Sequence, residues 1–145
     1  MERQRFFVDP GVGRDALLAF VTACIAAADD PAALQSLGLG GAHSYGLSKA
    51  CANTFTAIVA RERPHLVVNA CTPGFIETDM TRHHAEASGK SAADLGMKHP
   101  ADGARAPMHL LFERLQGNGR FYGSDAKRSP LDRYRSPNDP EFAGP

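Results

Sequence analysis

Two stretches of the chain place apolar side chains at three- and four-residue steps, the spacing of one helical face. From Arg14 to Ala28 the series is Leu17, Leu18, Val21, Cys24, Ile25 and Ala28, which predicts an amphipathic helix. Asp29-Asp30-Pro31 ends it, because the residue before a proline avoids the helical region. A short second helix is expected over 31–37, stopped by Gly38. The longer series runs from Ser44 to Arg61, with Leu47, Cys51, Thr54, Phe55, Ile58 and Val59 on one face. Ala50, Ala52, Ala57 and Ala60 keep this helix slim, and Glu62-Arg63-Pro64 closes it. The pattern then changes. Leu66-Val67-Val68-Asn69-Ala70-Cys71 is nearly continuous in apolar residues and bounded by prolines, which predicts a strand buried on both faces of a parallel sheet. A helix followed closely by such a strand is half of a βαβ unit.

The flanking regions are less regular. Residues 1–13 read as a loop or frayed start, with Phe6-Phe7-Val8 as a docking segment or strand end. Residues 81–99 are small and polar and read as a mobile surface segment, a candidate lid. A further helix is expected over 101–115, with Pro107 kinking it or restarting it at Met108 and with Met108, Leu111, Phe112 and Leu115 packed. Gly117-Asn118-Gly119 is a turn and Arg120-Phe121-Tyr122 a short strand. Beyond Ser124, prolines lie among charged residues with few aliphatics, which predicts an extended tail.

Composition narrows the function classes. The 145 residues amount to one ordinary domain, and 43% hydrophobic content can build a modest core. Sixteen basic and sixteen acidic side chains cancel, so nothing steers the chain to nucleic acid or to an anionic membrane. No run reaches the eighteen apolar residues of a membrane span, and the N-terminal apolar run is shorter than a secretory leader requires. Cys24, Cys51 and Cys71 lack paired spacing and read as reduced, buried thiols of a cytoplasmic protein.

Among residues with chemistry to offer, Tyr45 and Lys49 stand four apart at the start of the long helix, hence on one face. An ammonium held beside a phenol favours the phenolate and brings a tyrosine towards use as an acid or base near neutrality. Gly38-Leu39-Gly40-Gly41 follows a helical stretch and has His43 where a third glycine would stand, so it lacks the context of a dinucleotide fingerprint. His83-His84 are adjacent, point apart on a helix or strand, and have no third ligand spaced to complete a metal site. No metal is expected.

The order Tyr45-x-x-x-Lys49, apolar strand, then Pro73-Gly74-Phe75-Ile76-Glu77-Thr78-Asp79-Met80 resembles the C-terminal half of a short-chain dehydrogenase/reductase. Asn69 to Met80, the helical stretch 14–37, Asp102-Gly103-Ala104 and Gly119-Arg120-Phe121 are most similar to the monomeric NADPH-dependent carbonyl reductases of that family. The resemblance covers residues 14–123 and divides the chain into a partial reductase domain, 1–123, and a Pro-rich extended tail, 124–145. It implies an α/β fold, the C-terminal half of a Rossmann-like doubly wound parallel sheet. It also implies hydride transfer between NADP(H) and a small-molecule ketone, aldehyde or alcohol. Tyr45 would be the proton donor at the substrate oxygen, and Lys49 would tune the tyrosine and bind the nicotinamide ribose. Pro73, Gly74 and the Ile76 backbone would line the nicotinamide, Thr78 would bond the cofactor, and 79–99 would cover the substrate.

The pyrophosphate-binding glycine turn of that family is not found in these residues, nor is the serine that assists its tyrosine. Ser44 directly precedes Tyr45, and Ser36 lies in the helical stretch rather than at a strand end. The resemblance therefore implies activity only within a longer parent that supplies an N-terminal half, with the isolated chain inactive. The alternative is a non-catalytic remnant that binds a protein partner through its uncovered apolar faces.

Overall fold

The computed structural model describes residues 2–39 and 44–144. Its elements, in chain order, are α1 (Glu2–Val8), α2 (Arg14–Ala26), α3 (Pro31–Ser36), α4 (Ser44–Glu62), β1 (Ala70–Cys71), α5 (Asp79–Ser88), α6 (Pro100–Gly103), α7 (Arg105–Phe112), β2 (Phe121–Tyr122) and β3 (Arg128–Ser129). They divide into two units. The first holds Met1–Asn69, Gly117–Arg120 and Pro130–Tyr134; the second holds Ala70–Gln116, Phe121–Ser129 and Arg135–Pro145.

In the first unit, α1 and α2 both pack on α4. Val12, Leu17 and Ile58 form the buried centre, with Phe6 and Cys51 against it. The inward line of α2 is Leu17 and Phe20, continued by its C-cap Ala27, with Cys24 half-buried, whereas Leu18 and Ile25 of the expected face are exposed. The N-terminal residues form a helix rather than the expected loop. The rings of Phe6, Phe7 and Phe20 lie 5.2–5.6 Å apart between centroids. Thr54 on α4 donates its hydroxyl to the Phe7 carbonyl at 2.9 Å. Burying two adjacent aromatic rings requires the backbone to turn, and this tertiary packing outweighs the weak local helix signal. The short helix expected from Pro31 is α3, and Asp30 caps it: its carboxylate accepts from the Ala32 and Ala33 amides, with Pro31 in the first turn.

Residues 66–69 correct the reading of a strand buried on both faces. Leu66 and Val67 are exposed, and the regular strand starts only at Ala70. A side chain replaces the ladder here. Asn118 accepts from the Val68 amide at 2.6 Å and donates to the Leu66 carbonyl at 2.6 Å. Gly119 donates to the Val68 carbonyl at 2.8 Å, and Asn69 accepts from the Arg120 amide at 2.8 Å. The turn lies close on α4: a Cβ on Gly119 would come within 3.0 Å of that of Ala60. The small residues of α4 thus admit a turn.

Ile58, 1% exposed, is the most enclosed large side chain described. Ile58→Ala is expected to cost about 2–5 kcal/mol, since the few side chains around it cannot close the cavity. Leu18→Ala, on the exposed side of α2, is expected to stay within about 0.5 kcal/mol. Urea midpoints of the two variants check the contrast.

The second unit is built on a three-stranded sheet in the order β1-β2-β3. β1 and β2 are parallel, with Ala70 beside Phe121 and Cys71 beside Tyr122. β2 and β3 are antiparallel, with Phe121 beside Ser129. The sheet is therefore mixed, where the sequence reading expects a purely parallel one. The architecture is α/β and compatible with part of a Rossmann-like fold. The region read as polar surface forms α5, closed by Gly89 in the left-handed conformation. The expected helix over 101–115 is divided into α6 and α7 and ends at Phe112, with Pro107 inside α7. Residues beyond 123 contribute β3. They are held by Arg135, whose guanidinium bonds Asp125, the Ser129 hydroxyl at 2.9 Å and the Asp139 carbonyl at 2.9 Å.

Candidate functional site

Tyr45 and Lys49 lie in the first turns of α4, in the first unit. The Lys49 ammonium sits 5.4 Å from the centroid of the Tyr45 ring, a cation–π contact that follows from the four-residue helical spacing. The tyrosine is 71% exposed, so its phenol is open to a ligand. Ser48, between them, turns back to donate to the Tyr45 carbonyl at 2.8 Å. Of the glycine loop ahead of this helix, Gly40, Gly41 and His43 lie outside the described residues.

Pro73, Gly74, Ile76 and Thr78 lie in the second unit, in the loop from β1 to α5. The loop leaves the sheet through the Thr72 amide, which donates to the Tyr122 carbonyl at 3.0 Å. Gly74 has φ +88°, which favours glycine, and a Cβ there would meet the Ser124 Cβ at 3.1 Å. Residues 75–77 run beside Lys98: its amide donates to the Phe75 carbonyl at 2.9 Å, and its carbonyl accepts from the Glu77 amide at 3.0 Å. Ile76 is buried, its side chain against Gly103, so only its backbone can serve a ligand. Thr81 closes the loop, accepting from the Thr78 amide at 2.9 Å and donating to the Ile76 carbonyl at 2.6 Å. The Thr78 hydroxyl is 3.2 Å from that of Thr81, so it is already part of this local network.

Two polar residues at this loop escape the sequence reading. Lys98 donates its ammonium to the Ser124 hydroxyl at 3.3 Å, and Ser124 packs on Gly74. Their separation of 26 positions leaves no spacing signal. On α5 the rings of His83 and His84 are 3.9 Å apart, and His84 meets Phe75 at 6.1 Å. Among the described residues no group of three or more His, Cys, Asp or Glu side chains could hold a metal ion. Burial pushes the Cys71 thiol in β1 upward. No described helix is long and apolar enough to cross a membrane.

No family model matches the chain. It is similar to "Short-chain dehydrogenase/reductase 1" of Saponaria officinalis, 29% identical over 80 residues. The match covers 54% of this chain and 23% of the length of that relative. The similarity points to an oxidoreductase family at a distance, and the chain spans less than a quarter of the relative it matches.

Proposed function

We propose that this chain is the tyrosine-bearing segment of a short-chain dehydrogenase/reductase of the carbonyl reductase type, active within a longer parent. The observation that carries the reading is the contact between Tyr45 and Lys49 at the exposed start of α4, followed in order by β1 and the Pro73-Gly74 loop. The partial similarity to a named family member supports it.

NADPH, when bound, would supply the hydride. The chain's residues supply position and a proton. Tyr45 would donate its phenolic proton to the carbonyl oxygen of a small ketone or aldehyde, and Lys49 would hold the tyrosine face and the ribose hydroxyls. Pro73 and Gly74 are exposed and would line the nicotinamide ring. Ile76 would contribute its backbone, and Thr78 would contribute a hydroxyl to the cofactor. The pyrophosphate cradle and the assisting serine belong to a further segment of the parent, so the isolated chain is expected to show no carbonyl reduction with NADPH as donor. Sustained NADPH oxidation by the purified 145-residue chain would overturn that expectation.

A second reading has its own observation. Val67 in the first unit is 74% exposed, and Leu111 and Phe112 in the second are each 73% exposed. Apolar side chains this open suit a protein-interaction module without catalysis. Sequencing the transcript upstream of Met1 discriminates the two. An in-frame strand followed by Gly-x-x-x-Gly-x-Gly supports the reductase; its absence, with a stable complex in pull-down, supports the module.

A further inference from the structure

We propose that Cys24 and Cys51 form a facing dithiol that closes into a disulfide on reaction with a small-molecule disulfide such as oxidised glutathione. The inference goes beyond the reductase reading and is independent of it.

Helices α2 and α4 run antiparallel. Arg14, at the start of α2, pairs with Glu62, at the end of α4, at 2.7 Å. Arg61 donates to the Val12 carbonyl at 2.5 Å, next to the same helix ends. Leu17 and Ile58 belong to the same buried cluster. From Leu17, Cys24 lies seven residues further along α2; from Ile58, Cys51 lies seven residues back along α4. Seven residues are about two turns and about 10.5 Å of rise, with a drift of only about 20° around the helix. In an antiparallel pair the two steps lead in the same direction. They bring Cys24 and Cys51 to one level, on the faces that carry Leu17 and Ile58.

Two further observations agree. Cys51 itself packs against the Val12–Leu17–Ile58 cluster, on the face of α4 turned to α2. Its thiol is pushed up, first by burial and next by the charge of Cys24. Packed helix axes about 8–10 Å apart, less a Cα radius of about 2.3 Å on each side, leave facing Cα atoms about 3.4–5.4 Å apart; disulfides span about 4.4–6.8 Å. Both cysteines are half-buried, so a reagent can reach them.

The exchange balances. One thiolate attacks a sulfur of oxidised glutathione, breaks its S–S bond, releases one glutathione and leaves a mixed disulfide. The second thiolate attacks the protein sulfur of that mixed disulfide and releases the second glutathione. One S–S bond is broken and one formed, the two thiol protons leave on the two glutathiones, and the protein has lost two electrons.

The test uses the full chain under native conditions, treated with oxidised glutathione, alkylated and mapped as unreduced peptides by mass spectrometry. The expected product is the Cys24 peptide joined to the Cys51 peptide, with Cys71 outside the link. Cys71→Ser should form the same link. Cys24→Ser should stop at a persistent glutathione adduct on Cys51, and Cys51→Ser at one on Cys24. Separate adducts on Cys24 and Cys51 of the native chain, or a link found only after urea unfolding or only through Cys71, would overturn the proposal. The wild-type map decides even if a serine variant fails to fold.

Discussion

Replacing Arg135 by alanine is expected to destabilise the second unit by about 3–5 kcal/mol, the loss that follows when one partner of a buried ion pair is removed. The side chains of Arg135 and Asp125 are 6% and 10% exposed and are bonded to each other. Arg135 also donates to the Ser129 hydroxyl and to the carbonyls of Ser136 and Asp139, so it joins β3 to the residues that follow. Removing it leaves a buried carboxylate with the Lys127 amide at 3.2 Å, while the other oxygen, Oδ2, has no partner at all. Asp125→Ala with Arg135→Ala together should recover part of the loss, because no unpaired charge then remains. Chemical unfolding of the two variants measures both.

The same pair sets a pH dependence. Burial pushes the Asp125 carboxyl upward, but the Arg135 hydrogen bond and charge, with the Lys127 amide, hold it below the ordinary carboxylate value. A group lowered in the folded state contributes stability above its unfolded value, about 3.9 for aspartate, and loses that contribution as pH falls through the folded value. The native chain should therefore lose this contribution only below about pH 4, and the double variant should lack that part of the acid transition.

The helices that depend on local chemistry are legible in the sequence. The short helix read from Pro31 begins there as α3, and the spacing from Leu47 to Val59 marks α4. What escapes is whatever depends on partners distant in the chain. The apolar run Leu66–Asn69 has the composition of a strand, but Asn118, fifty positions away, takes up its backbone groups through a side chain. Phe6 and Phe7 become helical because Phe20 and α4 receive them. In the C-terminal segment, Asp125 and Arg135 look like solvated charges among prolines, and only the fold shows them buried together. Of the candidate site, the Tyr45–Lys49 contact follows directly from helical spacing, whereas Lys98 and Ser124 reach the Gly74 loop through tertiary structure.

The reductase reading rests on one proton at one oxygen. Tyr45 is exposed, touched by Lys49, and carries a hydroxyl that phenylalanine lacks while leaving the ring and its cation–π contact in place. A positioned general acid contributes about 10²–10⁴-fold. Phenylalanine is thus a substitution that removes the acid and spares the shape. The direct measurement is NADPH-dependent carbonyl reduction, with NADPH binding followed in parallel, in the longer parent protein carrying Tyr45→Phe. Reduction should fall by about 10²–10⁴-fold with the affinity for NADPH nearly unchanged. Turnover equal to that of the unsubstituted parent, or loss of cofactor binding in place of loss of turnover, would contradict the role assigned to this tyrosine.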